Sequence, residues 1–378
     1  MKRVNCIACW FGLAVAACFG SMPTACAQQS KPRLILDADT ANEIDDMYAI
    51  TRMLKQDQFD VVALTSAQWI HYLAEEDSVG ASQRENEALV KLLGREELPT
   101  PIGSREPMGK PWGGDEPKDS PACQLIIQEA RKATPENKLV VVSLGASTNL
   151  ASAIRTAPEI AANIKAYLLG FRYDLEREVW NKSSFNIRRD LNAADYLLNC
   201  VELDVHVMPA NVARPLTFPR DKTFERHRQM GALGDHLTTK WKARFPEFEN
   251  WVMWDLALVE AILHPEFATS KEVFTPPENV QRVVRLYDSI NVQAMRDDYW
   301  SVVLPGDAAK TPNESADPDP ANGDLGASDS DGNFEPFDPN PGKCDMLVVA
   351  AHPDDEGYFG GLLSHYTRFD TRKSFWSV

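Results

Sequence analysis

Ten residues, Asp37-Ala-Asp-Thr-Ala-Asn-Glu-Ile-Asp-Asp46, gather four aspartates and a glutamate where an apolar stretch gives way to an amphipathic one. Carboxylates this close repel one another unless a cation neutralises them, and an all-oxygen donor set suits calcium or magnesium rather than zinc. Arg33 to Leu36 read as a buried strand, whose period-two alternation puts Asp37 and Asp39 on one face at its C-terminal end. From Ile44, the apolar residues Met47, Ile50 and Leu54 follow at helical spacing, so Asp45 and Asp46 fall in a first helical turn, where the helix dipole favours carboxylates. In an open α/β sheet ligands bind at the carboxyl ends of the strands, and the segment reads as a metal site. The bland alternative is a solvated acidic loop with a capping aspartate, which needs no ion.

The elements that must position these residues run from 31 to about 301. Short apolar runs, Arg33 to Asp37, Asp60 to Thr65, Leu139 to Ser143, Ala166 to Leu169 and Val205 to Met208, alternate with helical stretches around Ile44 to Leu54, Glu85 to Leu93, Gln124 to Lys132, Leu150 to Thr156 and Ala193 to Asn199. That alternation predicts an α/β fold: an open, mainly parallel sheet with helices on both faces. At 378 residues and 44% hydrophobic, the chain has material for one large domain or two ordinary ones.

Residues 1–27 read as a secretory signal peptide. Lys2 and Arg3 precede an apolar stretch from Ile7 to Gly20, and Ala25-Cys-Ala27 is a small-x-small cleavage site, so the protein is expected to be exported to a periplasmic or extracellular space. The apolar stretch is short and broken by Cys and Gly, which argues against stable membrane insertion, and Pro23 stands where a lipid-attachment motif built on Cys26 would want an apolar residue. Only Cys123, Cys200 and Cys344 follow this segment, a scattered set that makes neither a disulfide framework nor a paired-cysteine metal motif. A net charge of -16 argues against nucleic acid as a partner and leaves small molecules compatible. A homo-oligomer is compatible as well. Residues 302–343 are rich in Asp, Pro, Gly, Ser and Asn and read as an acidic disordered linker.

With these residues in place, the stretch from about 33 to 300 resembles the inosine-uridine-preferring nucleoside hydrolase superfamily. Those enzymes begin with a strand running into Asp-x-Asp-Pro-Gly-x-Asp-Asp, matched here by Asp37, Asp39, Asp45 and Asp46 with the Pro-Gly turn replaced and two residues inserted. Gly145-Ala-Ser-Thr-Asn149 is similar to the segment whose threonine offers a main-chain carbonyl to the metal, which would be Thr148. Ser184-Phe-Asn186 is similar to the family's Glu-Phe-Asn, with Asn186 on the ribose hydroxyls and Ser184 where the glutamate is expected. Trp254-Asp255 resembles the last metal ligand at the head of an apolar helix, Asp255, preceded by an aromatic as in the purine-specific branch.

The resemblance implies one calcium ion held by Asp39, Asp46, Thr148 and Asp255, with Asp37 as a further candidate. It implies Asp39 as the catalytic base, Asp45 and Asn186 as sugar-binding residues, and Trp254 stacking on the leaving base. The expected activity is hydrolysis of the N-glycosidic bond of ribonucleosides, with a preference for purines. Stacking is worth about 1 kcal/mol beyond area burial, too little to replace a proton donor, so Trp69 and Trp112 are candidates for a second aromatic contact. Three other readings stay open: a metal-dependent hydrolase of another ribosylated or glycosylated compound, a calcium-stabilised binding protein without turnover, and, from the tail described next, a zinc de-N-acetylase if that domain were complete.

Beyond the linker, Ala351-His-Pro-Asp-Asp-Glu356 follows an apolar run and is similar to the start of the zinc-dependent N-acetylglucosaminyl de-N-acetylases. In that resemblance His352 and Asp355 bind zinc and Asp354 is the base. Residues 344–378 are too few to bury an independent core, so the tail reads as the opening of an incomplete second α/β domain, with at most a weak zinc site.

Overall fold

The computed structural model describes residues 31–305, Leu73 excepted. Among them, the strands in chain order are β1 (Arg33–Ala38), β2 (Asp60–Ser66), β3 (Leu139–Ser143), β4 (Ile164–Leu169), β5 (Arg172–Asp174), β6 (Val179–Asn181), β7 (Asp204–Met208), β8 (Thr217–Pro219), β9 (Asn250–Val252), β10 (Ala268–Phe274) and β11 (Val283–Ile290). Seven of these make one sheet in the order β10-β11-β7-β4-β3-β1-β2. Its pairs are parallel except for β10 with β11 at one edge. The strands β5–β6 and β8–β9 form two small antiparallel hairpins.

Period-two alternation divides the sheet residues between two apolar layers. Leu34 and Leu36 of β1, Val140 and Val142 of β3, and Tyr167 and Leu169 of β4 enter one core with the helices Asp45–Leu54, Trp254–Leu263 and Val292–Val303. Ile35, Val141, Ala166 and Leu168 enter the other with the helices Pro121–Ala130, Thr148–Thr156 and Leu191–Asn199. Because both faces are covered, β3 is buried at every residue and reads as the unbroken run Leu-Val-Val-Val-Ser.

Strand β1 lies between β2 and β3, so the chain changes direction across the sheet at this point. The helix that follows β1 packs into one core and the helix that follows β3 into the other, which opens a crevice between their carboxyl ends. Asp39 and Gly145 stand on its two sides.

The expected mainly parallel sheet with helices on both faces is present. The antiparallel strands were absent from the sequence expectation. Strand β10 is mostly half-exposed or exposed and follows no clean alternation, and the hairpin strands are three residues long, too short for a period to register. The expected signal peptide and second α/β domain, with His352, Asp354, Asp355 and the zinc they would bind, lie outside the described residues, as does the expected acidic linker beyond residue 305; its first two residues, Val302 and Val303, instead complete the helix Val292–Val303. Among the described residues no helix is long and apolar enough to cross a membrane.

Candidate functional site

Four aspartates that the chain supplies from two distant segments meet at the crevice. Asp39 follows β1, Asp45 and Asp46 occupy the first turn of the helix Asp45–Leu54, and Asp255 is the second residue of the helix Trp254–Leu263. All are buried, with relative exposure of 2 to 3%. The main-chain N–H of Asp255 donates to Asp45 Oδ2 at 3.1 Å, and one carboxylate oxygen each from Asp45, Asp46 and Asp255 lie within 4.8 Å of one another.

Electrostatics bring Asp39 into the same group. Burial first, then the charge of Asp45, pushes Asp39 up to about 8. Burial pushes Asp45 up to about 6, held back by the Asp255 N–H. Asp46 rises well above the ordinary carboxylate range through burial and the charge of Asp39, and Asp255 through burial and the charges of Asp45 and Asp46. Asp39 Oδ2, Asp46 Oδ1 and Asp255 Oδ1 are buried with no hydrogen-bond partner. Unpaired buried anions of this kind are costly, and a hard divalent cation satisfies both the charge and the orphaned oxygens, so the donor set fits calcium or magnesium.

The loop after β3 is shaped to this cluster. A Cβ on Gly145 would lie 2.8 Å from Asp39 Oδ1, so only glycine lets the loop come this close. Leu144 lines the cleft, and its carbonyl accepts the side-chain amide of Asn186, which also donates to Leu169 O at 3.2 Å. Asn186 lines the cleft as well.

Thr148 and Asp37 are placed differently from the expectation. Thr148 is the first residue of the following helix, its hydroxyl donates to Asp190 Oδ2 at 2.6 Å, and it does not line the cleft. Leu144, which directly follows β3, lines the cleft instead. Asp37 lies within β1, where Oδ1 accepts from Thr65 Oγ1 at 2.6 Å and Asn149 Nδ2 at 2.9 Å. It ties β1 to β2 and to the helix after β3, and it too is absent from the cleft lining.

The remaining walls come from Asn42, Glu43, Leu169, Gly170, Arg172, Ser184, Phe185, Ala210, Arg214 and Trp254, around about 650 Å³ of empty space open to solvent. Trp254 is half-buried against the first core and lines the cleft. Neither of the other expected aromatics reaches it. Trp69 is buried with Ala41 and Ala81 and backs onto Phe185, the aromatic that does line the cleft. Trp112 is 68% exposed on a loop outside the cleft, where a Lys110–Gly113 bridge closes a turn that holds it away. Sequence reasoning noted Glu43 only as part of the acidic segment, and did not find Arg172, Arg214 or Phe185. A second grouping, Glu260, His264 and Asp298, could hold an ion by spacing alone, but the Arg52 guanidinium bonds all three and supplies the positive charge.

The sequence of residues 34–297 matches the inosine-uridine preferring nucleoside hydrolase family. Curated relatives include "Probable uridine nucleosidase 2" of Arabidopsis thaliana, 26% identical over 229 residues that span 55% of this chain and 68% of the relative. Another is "Probable uridine nucleosidase 1" of Oryza sativa subsp. japonica, 24% identical over 272 residues, 65% of this chain and 81% of the relative. Among solved structures, the plant nucleoside hydrolase PpNRh1 superposes with a TM-score of 0.58 at 18% identity, covering 73% of this chain and 99% of the other. A purine-preferring ribonucleoside hydrolase from Gardnerella vaginalis superposes with a TM-score of 0.55 at 20% identity, covering 72% and 98%. The match over residues 34–297 spans more than half of the chain, which therefore belongs to the inosine-uridine preferring nucleoside hydrolase family and is a hydrolase that acts on N-glycosyl bonds.

Proposed function

We propose that the protein hydrolyses ribonucleosides, preferring purines, with one calcium ion held by Asp39, Asp46, Asp255 and the Leu144 carbonyl. The observation that carries this reading is the orphaned oxygen on each of Asp39, Asp46 and Asp255, buried together where segments more than 200 residues apart converge. When bound, the cation would neutralise the carboxylates and polarise a water for attack on the sugar. Asp39, which lines the cleft, would hold the ion and take the proton of that water. Asp45, anchored by the Asp255 N–H, and Asn186, anchored by the Leu144 and Leu169 carbonyls, are rigid enough to grip ribose hydroxyls and favour the distorted sugar of the transition state.

Trp254 and Phe185 give the leaving base two aromatic surfaces, and the larger π-surface of a purine gains more from them. Export of the protein through residues 1–27 belongs to the same reading, and is checked by sequencing the N-terminus of the mature protein.

The test is base and free-ribose release from a panel of purine and pyrimidine nucleosides with calcium and with a chelator, using D39N as control. Calcium-dependent release that D39N abolishes is the expected result. Calcium-dependent stabilisation with no release from any substrate would replace this reading with that of a binding protein.

A further inference from the structure

Two arginines line the same cleft as the carboxylates. Arg172 on β5 and Arg214, at the end of the short helix Ala210–Ala213, are both half-buried and both line it. The backbone locks the two carriers together. Ala210 N–H donates to Phe171 O at 3.0 Å, Tyr173 N–H donates to Asn211 Oδ1 at 3.0 Å, and Asn211 Nδ2 returns a bond to Tyr173 O at 3.0 Å. Arg172 is therefore flanked on each side by a residue bonded to the segment that presents Arg214.

The entry to this wall is strained. Phe171 adopts φ 61°, a left-handed conformation uncommon outside glycine, straight after Gly170 at φ 149°. Such strain persists where the surroundings over-determine the backbone, often at a ligand clamp. Beside it, Ser184 is 2% exposed, its Oγ has no hydrogen-bond partner, and it faces the same cleft. A Cβ on Gly170 would lie 3.5 Å from that oxygen, which places the unpaired hydroxyl next to the chain that carries Arg172.

We propose that the cleft takes ribosyl compounds bearing a phosphate group, with Arg172 and Arg214 as the anion-binding pair and Ser184 donating its hydroxyl. The proposal rests on the nucleoside-hydrolase reading and names the substrate class of that same site. Guanidinium groups recognise phosphate oxygens through paired N–H donors, and partial burial strengthens the contact. The reaction is unchanged: water adds at the anomeric carbon, the C–N bond breaks, the base leaves with a proton, and the phosphate stays on the sugar product. Arg172, Arg214 and Glu43 each already engage a partner, so the competing role for the arginines is to balance the acidic residues of the cleft, and a phosphate would share them.

The full chain, with calcium, is assayed for base release from inosine and uridine and from their 5′-monophosphates. Calorimetry compares binding of ribose 5-phosphate with binding of ribose. We expect kcat/KM at least tenfold higher for the monophosphates, a monophosphate-to-nucleoside ratio at least tenfold lower in R172Q and in R214Q, and tighter binding of ribose 5-phosphate that the double variant loses. Nucleosides cleaved as well as their monophosphates, or a ratio the substitutions leave unmoved, overturns the proposal while the nucleoside-hydrolase reading stands. Base release from none of the four substrates overturns that reading instead, and calorimetry then decides the anion site: equal binding of ribose and ribose 5-phosphate removes it.

Discussion

The N–H of Asp255 donates to Asp45 Oδ2 at 3.1 Å across 210 residues of sequence, joining the first turns of two helices that share a core. A first-turn N–H has no partner within its own helix, so Asp45 both satisfies a buried donor and fixes Asp255 beside the other carboxylates. D45N keeps an acceptor oxygen, whereas D45A removes it. We expect D45A to lose about 1–3 kcal/mol of stability and D45N much less, while both lower kcat/KM by at least about a hundredfold. Urea unfolding and nucleoside kinetics on the two variants separate the structural from the chemical contribution.

Gly145→Ala tests how closely the loop after β3 must approach. The added methyl would lie 2.8 Å from Asp39 Oδ1 and 2.9 Å from Asp39 Cβ, so either the loop or the aspartate shifts. A displacement of about 1 Å at a reacting group costs on the order of a hundredfold in rate. The expected outcome is a loss of that size in kcat/KM with a smaller calcium-induced stabilisation. Wild-type kinetics in G145A would show that the loop yields without moving Asp39.

Much of this site was readable in the chain because its acids are local: Asp39, Asp45 and Asp46 fall in one strand-to-helix segment and the helix period places the last two, whereas the strand period wrongly paired Asp39 with Asp37, which bonds Thr65 and Asn149 instead. Asp255 carries no such local signature, and only family resemblance singled it out. Arg172 and Arg214 escaped because an isolated arginine in a short hairpin or at the end of a four-residue helix makes no pattern. Thr148 and Leu144 differ by one turn of chain, a distinction that depends on where β3 ends. Trp112 and Trp69 had the right residue type near the right loops, but which aromatic reaches the cleft depends on packing, and Phe185 does.

Calcium should act as a folding ligand. The buried orphan oxygens of Asp39, Asp46 and Asp255 have no counterpart in an unfolded chain, so an ion that binds them favours the native state. At a free concentration about 100 times its dissociation constant, stabilisation is about 2.7 kcal/mol. For a domain of this size that corresponds to a rise in Tm of roughly 5 °C. Thermal unfolding across a calcium titration measures it. D46N and D255N should each abolish most of the shift, and a shift retained in both would remove these residues from the ligand set.

Glu260 gives a pH dependence away from the cleft. It is fully buried and, with Asp298, meets Arg52: Arg52 Nε donates to Glu260 Oε1 at 3.1 Å and Arg52 Nη2 to Asp298 Oδ2 at 2.6 Å. Burial is the main cause that pushes Glu260 up to about 8, with the Arg52 charge opposing and the Asp298 charge assisting. His264 faces the same cluster, 3.3 Å from Asp298. The native protein therefore keeps a proton on Glu260 that the unfolded chain releases above its ordinary value of 4.5. Stability from this group is fully present below that value and is lost as pH rises through about 8, on the order of 1 kcal/mol per pH unit. Gln at this position mimics the neutral acid, with an oxygen for Arg52 and an N–H for Asp298. E260Q should match the wild type near pH 5, be the more stable of the two at pH 8, and show a flatter slope between them. Urea unfolding at unit steps of pH checks this, and an unchanged slope in E260Q would assign the retained proton to another group.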